Sequence, residues 1–495
     1  MEQPSDLRLV LALLAPLTGA GLVMATGRRP NLREACSLLA ALSLFGLTVS
    51  LVPRVLAGAT VRYELVQWLP GLRLALRADG MSMIFALAAS GLWVLTVFYS
   101  AGYMRQLGEH AQTRFNVCFA LALFGAVGCA FADNLLTLYL FYEVISISTY
   151  PLVAHHQDAE GYEAGRKYLT YLTGAAKGLV LPAMVLIYVL TGSLDFADNM
   201  RTGILPAGLS PGVVAGLYWA CLFGFAKNAV MPLHHWLPGA MVAPTPVSAL
   251  LHAVAVVKAG VFSTARVMLY VFGTDLLHAA NLGRPTAYVV SFTILAASVI
   301  ALTQDDLKLR LAYSTVSQLS YVLLGVALLT PAGITGGLMH IANHAFAKIT
   351  LFFCAGAIYV VTRKKNISEM SGLGKTMPFT FGAFGLAALS LIGAPPAGGF
   401  ISKWYLLRGA LDAGTAAMLA VLVVSTLLNA AYFAPVVYLA FFGQPAGTGS
   451  AQPTASPVAE AHPALLVPLC LTAVLSMVLG LYPDLLLNFV RTLRV

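Results

Sequence analysis

Charge in the middle of an apolar span costs about 2.5–3.5 kcal/mol even on a lenient insertion scale, and this sequence accepts that cost repeatedly. Glu143 stands in Leu136–Ile147 (LTLYLFYEVISI), with no other acidic or basic residue between Asp133 and His155. Lys227 stands in Gly224–Pro232 (GFAKNAVMP), where Pro232 removes a backbone donor and loosens any helix. Lys258 closes the run from His252 (HAVAVVK). His340, His344 and Lys348 recur every fourth residue in Met339–Ile349 (MHIANHAFAKI), which puts all three on one helix face. Lys403 follows Pro395, Pro396 and three glycines in Ile392–Trp404 (IGAPPAGGFISKW). Unwound backbone at membrane depth survives only inside protein or against a cavity, so this stretch reads as a broken helix at an ion site.

The chemistry open to such a set is proton transfer. Histidine titrates near neutrality, and desolvation destabilises the charged form of a buried lysine. A lysine beside a glutamate holds its proton, and one separated from it gives the proton up. Pairs in series would move protons by electrostatics, with titrations belonging to the pairs. Each residue also has a plainer reading. Glu143 could be a carboxylic acid kept neutral by burial. Lys227 could snorkel to the interface, and Lys403 could be a loop lysine. His234, His235 and Trp236 read first as an interfacial anchor, with His234 a possible further relay group. Lys177 is either a further pathway residue or an interfacial lysine. Metal binding by His340 and His344 ranks low, because no carboxylate shares their face; no metal site is expected.

These residues must be positioned by spanning helices. The chain has 495 residues, 59% hydrophobic and 10% charged, against about a quarter charged in soluble domains. Its solvent is therefore largely lipid. We count about fourteen spans: 9–27, 35–56, 81–103, 114–131, 134–155, 165–192, 213–232, 244–271, 285–303, 309–328, 333–361, 379–410, 415–443 and 463–489. The runs are too long and uniformly apolar for barrel strands, so the fold class is all-α, a polytopic membrane protein. The first run, Leu9 to Ala25, is read as a helix rather than a cleaved leader.

Arg28, Arg29, Arg33, Arg105, Arg114, Arg166, Lys167, Lys308, Arg310, Arg363, Lys364, Lys365 and Lys375 gather in alternate loops, which the positive-inside rule makes cytoplasmic. Both termini then lie outside, together with Arg54, Arg62, Arg73, Arg77 and Arg491. The net charge of +9 thus records topology, not nucleic-acid binding. The six cysteines form no CxxC pair and read as apolar filler. Gly443 to His462 is a flexible linker by composition. No nucleotide fingerprint or soluble domain is present, so redox chemistry would need a partner chain and no cofactor is expected on this one.

The run Pro232–His252 (PLHHWLPGAMVAPTPVSALLH), continuing to Lys258-Ala-Gly, resembles the signature of the proton-translocating membrane subunits of respiratory complex I and Mrp-type cation/proton antiporters. Asp306-Leu-Lys308 through Leu311–Ser320, His340–Lys348 and Gly393–Trp404 match in the same order. The resemblance runs from roughly residue 75 to 440. Asn366–Pro378 and Gly399–Leu407 look most like the D-type component of Mrp-type antiporters and its kin in membrane-bound hydrogenases. The resemblance implies two inverted five-helix repeats with spans seven and twelve broken, at Pro232 and at Pro395 and Pro396. The expected divisions are 1–110, 111–275 (first half), 280–443 (second half) and 444–495. It implies that Glu143 partners Lys227, that Lys258 bridges toward the second half, that His252, His340, His344 and Lys348 lie on a polar axis, and that Lys403 is the terminal proton site. Three functions stay open: a subunit of a Na⁺/H⁺ antiporter, the pumping limb of a redox-driven NADH–quinone oxidoreductase or hydrogenase, and a structural scaffold. The expected partners are other membrane subunits, H⁺ and possibly Na⁺, in a bacterial or archaeal cytoplasmic membrane.

Overall fold

In the computed structural model, which describes residues 5–444 and 459–493, nearly every apolar run is a helix. In chain order these are α1 (Arg8–Ala25), α2 (Pro30–Leu56), α3 (Gly80–Gln106), α4 (Gln112–Ala130), α5 (Leu135–Val153), α6 (Ala159–Thr191), α7 (Pro211–Gly224), α8 (Thr245–Phe272), α9 (Gly283–Thr303), α10 (Leu307–Ala327), α11 (Pro331–Thr362), α12 (Pro378–Ile392), α13 (Gly398–Asp412), α14 (Ala416–Phe442), α15 (Pro463–Leu481) and α16 (Asp484–Arg491). Among the described residues, eleven are long and apolar enough to cross a membrane, and α7 and α12 are shorter apolar helices. The protein is an integral, multi-pass membrane protein. A count of fourteen spans further requires α10, and α7 and the α12–α13 pair with their interruptions, to cross. Most of the linker expected at 443–462 falls on 445–458, outside the described residues.

Several helices start where side chains satisfy their free amides. Asp79, Asn134, Asp158, Ser210, Asp306 and Thr330 each accept from a backbone N–H in the first turn of the helix they precede. α8 is wholly buried although it carries His252, Lys258 and Arg266, so it forms the centre of the bundle. α10 and α11 pack beside it and bring their polar residues inward.

An all-helical reading misses one element. Val61–Leu69 and Leu72–Ala78 form an antiparallel hairpin, β1 and β2, turned at Pro70-Gly71 with Gly71 at φ +73°. It closes the end of the bundle where α4 meets α5: Arg77 N–H donates to Phe131 O at 2.6 Å and Asn134 Nδ2 donates to Arg73 O at 2.8 Å. Arginines assigned to that side are paired there. Arg77 and Arg266 both grip Asp79, at 3.0 and 2.6 Å, and Arg62 and Arg73 flank Asp133 at 3.5 and 3.7 Å. Burial would push the Asp79 carboxyl up, but the guanidiniums of Arg266 and Arg77 outweigh it and hold it well below the usual carboxylate range.

Candidate functional site

Two interrupted helices frame the interior. α7 stops at Gly224, well before Pro232. Asn228 takes over the loose ends: its Nδ2 donates to Leu222 O at 2.8 Å and its Oδ1 accepts from Val230 N–H at 3.0 Å. One 3-10 turn, Ala226–Asn228, carries Lys227. α12 stops at Ile392, Gly393 turns the chain at φ +89°, and α13 resumes at Gly398. At each break a glycine from another helix presses on the unwound backbone. A Cβ on Gly260 of α8 would lie 2.2 Å from Lys227 C, and one on Gly480 of α15 would lie 2.0 Å from Pro396 O.

Lys227 is fully buried, so it does not snorkel. Its Nζ donates to Tyr142 O at 2.8 Å and Ser146 Oγ at 2.7 Å, and its backbone N–H donates to Tyr142 OH at 3.0 Å. Glu143, half-buried one turn before Ser146, makes no direct ion pair with Lys227 among the described residues. Ser146 Oγ lies 3.4 Å from Glu143 Oε1 and joins the two. Glu143 Oε2 has no partner among the described residues. Lys177 sits exposed on a wide helical turn of α6, Ala176–Val180.

In the middle, Lys258 Nζ meets His344 Nδ1 rather than His252. His344 and His340 stack along α11 with ring centroids 5.8 Å apart. His340 bonds Gln318 Oε1 and Ser402 Oγ, both at 2.9 Å, and so reaches the residue beside Lys403. Lys348 donates to Leu311 O at 2.9 Å and to Ser314 Oγ. His252 is fully buried against Phe352, with neither ring nitrogen bonded among the described residues. Lys403 is buried as well. Its Nζ donates to Leu391 O at 2.8 Å and Ile392 O at 2.9 Å, the free carbonyls at the end of α12, and it lies 5.0 Å from the Tyr321 ring centroid. A cavity of about 150 Å³ opens beside it, lined by Tyr321 and Thr426. Space of that size holds a few waters.

Trp236 corrects the expected interfacial anchor. It is wholly buried, its indole N–H donating to Ala226 O at 3.0 Å, so it braces the first break from below. His234 is buried beside it, and His235 is exposed. Ser146, Gln318, Ser314 and Ser402 escaped the sequence reading because serine and glutamine in an apolar helix carry no signal of their own. Lys308 escaped it as well: read as a loop cation, it is half-buried and donates to Met241 O at 2.7 Å and Ala243 O at 2.6 Å. It lines a cavity of about 640 Å³ that opens at this end of the bundle.

Residues 132–429 match the family described as NADH:quinone oxidoreductase/Mrp antiporter, TM. The chain is 35% identical to NADH-quinone oxidoreductase subunit N of Desulforudis audaxviator, over 88% of this chain and 87% of that one. It is 32% identical to NADH-quinone oxidoreductase subunit L of Mycobacterium tuberculosis, over 92% and 73%. It is also 32% identical to Na(+)/H(+) antiporter subunit A1 of Staphylococcus haemolyticus, over 90% of this chain but 57% of that one. Among solved structures, a chain of the Mrp complex from Dietzia sp. DQ12-45-1b superposes with TM-score 0.86 at 25% identity, over 98% of this chain and 96% of that one. A chain of the membrane-bound sulfane sulfur reductase, an archaeal respiratory membrane complex, does so with TM-score 0.87 at 25% identity, over 98% and 97%.

Proposed function

The chain belongs to the NADH:quinone oxidoreductase/Mrp antiporter transmembrane family, and on that footing we propose that it carries protons along Lys227, Lys258, His344, His340 and Lys403. It is an antiporter-like, proton-translocating membrane subunit of the Mrp and complex I type. The observation that carries the route is the unbroken burial of these side chains, each held by neutral acceptors or by one another, between two interrupted helices. Glu143 is the acid of the first end, reached through Ser146. Lys348 and His252 flank the axis, and Lys308 admits protons from the large cavity. Lys177 and His234 lie off this line.

The chain holds no redox cofactor and works among other membrane subunits, with both termini outside and the basic loops cytoplasmic. We assign it to a Mrp-type Na⁺/H⁺ antiporter, in the place of the D-type component; the motifs at Asn366–Pro378 and Gly399–Leu407 and the likeness to the Mrp complex support this. The likeness to the N and L subunits of NADH-quinone oxidoreductases favours a second reading, the pumping limb of a redox-driven complex. Purification of the native complex separates the two. Membrane-only partners and Na⁺-dependent pH gradients support the antiporter; iron–sulfur or flavin partners support the pump. In either complex, Lys227→Ala and Lys403→Ala should abolish transport while assembly persists. Loss of assembly with no separable transport defect would make the charges structural and overturn the route.

A further inference from the structure

A second group of titratable side chains gathers away from the axis, at the end of the bundle that carries the large cavity. Glu109 and His110 follow α3, and His155 and His156 follow α5. The ligand-capable atoms of Glu109, His110 and His155 all lie within 4.8 Å of one another. His155 Nε2 is 3.7 Å, and His156 Nδ1 3.8 Å, from Glu109 Oε2. The His110 and His155 ring centroids are 4.8 Å apart. Both loops are pinned: Glu109 N–H donates to Met104 O at 2.9 Å, Gln112 Nε2 to Glu109 O at 3.0 Å, and Arg114 Nη2 to His155 O at 2.8 Å.

His155 is the decisive residue. It is 0% exposed, and neither ring nitrogen has a hydrogen-bond partner among the described residues. Leaving a buried polar group unbonded costs about 1–3 kcal/mol. An imidazole buried in that state, facing two more imidazoles and a carboxylate, is stable when something else bonds it. Imidazole and carboxylate are the donors that Zn²⁺ and its neighbours select, and no thiol competes here.

We propose that Glu109, His110 and His155 bind a divalent transition-metal ion, best Zn²⁺, with His156 as the fourth donor. Metal–ligand bonds of about 2.0–2.2 Å set tetrahedral donors about 3.3–3.6 Å apart. The two shorter separations are within half an ångström of that. His110, which is exposed, closes the rest by rotating about its own side-chain bonds. The ion sits at the rim of the 640 Å³ cavity, whose wall includes Glu109 and His156.

The test is titration of the purified complex, stripped of metals by chelator, with Co²⁺ and then Zn²⁺. The expected result is one equivalent of Co²⁺ per chain with the visible absorption of a tetrahedral site, displaced by Zn²⁺. His155→Gln should weaken binding at least about tenfold, since even outer-shell changes cost 10–100-fold. His110→Gln, at an exposed position that does not disturb folding, should do the same. Wild type and both variants binding Co²⁺ alike would overturn the proposal. So would absence of the absorption in wild type, and the cluster would then be a carboxylate–imidazole pairing only.

Discussion

Gly260→Ala should disable the first break without touching a titratable group. The added Cβ would lie 2.2 Å from Lys227 C, 2.3 Å from Asn228 N and 2.6 Å from Lys227 O. Carbon atoms rest about 3.5–4.0 Å apart, so the two backbones must separate by about 1.3 Å. Neither can yield by a rotamer change, since both contacting surfaces are main chain. Overpacking costs about 1–3 kcal/mol, and the upper end applies here. The same displacement pulls Lys227 from Tyr142 O and Ser146 Oγ, now at 2.8 and 2.7 Å. A hydrogen bond to a charged group is worth about 1.5–3 kcal/mol, so losing one slows transport about tenfold or more. The assay is proton flux into proteoliposomes holding the purified complex, with its thermal midpoint followed in parallel. Gly480→Ala is the matching perturbation at the second break. Gly216→Ala is the control, because no heavy atom lies within 4 Å of its Cβ position. If Gly260→Ala transports at the wild-type rate with an unchanged midpoint, the break is not a fixed seat for Lys227 and the positional reasoning fails.

Ser146→Ala removes the one hydroxyl between Lys227 and Glu143, so transport should fall severalfold while Ser146→Thr retains most of it; equal flux in both variants would remove the serine from the route. Arg266→Ala leaves Asp79 buried beside a single guanidinium and should cost about 3–5 kcal/mol, read as a large fall in thermal midpoint. Because the Asp79 carboxyl is held below its unfolded value, that contribution is present above about pH 4 and is lost as pH falls further. Acid sensitivity of the midpoint should therefore shrink in Arg266→Ala, and an unchanged acid limb would assign the stability elsewhere.

The spans and both breaks were legible because lipid demands long apolar runs and because proline and glycine punctuate them. The positions inside the breaks were not. Pro232 marks the first break in the sequence, yet the helix ends at Gly224, since Asn228 can satisfy a carbonyl and an amide at once only from a turn. The hairpin has a signal of its own, alternating residues around Pro70-Gly71, but the apolar runs on either side mask it. Trp236 looked interfacial because tryptophan near histidines commonly is; the packing buries it and sets it edge-on to the Tyr168 ring at 5.4 Å. The Glu109–His155 cluster joins dipeptides from two separate loops, a meeting that only the packing of α3, α4 and α5 creates.

The two ends of the axis are not equivalent. Lys403 rests on carbonyls at the end of α12, where the half-helix supplies roughly half a negative charge. Lys227 has neutral acceptors too, but a full carboxylate stands behind one of them. Through Ser146 the Lys227 Nζ and the Glu143 oxygen can be at most about 6 Å apart, and they are beyond 4.0 Å, since no ion pair forms. At an effective dielectric of 20 a charge at about 6 Å is worth about 3 kcal/mol, and the partial exposure of Glu143 lowers that. The carboxylate is therefore strong enough to bias where a proton rests and too distant to be what holds Lys227 in place. Glu143→Gln should leave assembly and thermal midpoint nearly unchanged and reduce proton flux about tenfold or more. A Glu143→Gln complex that pumps normally would make the neutral cage around Lys227 sufficient by itself, and the asymmetry between the two ends would then have no part in transport.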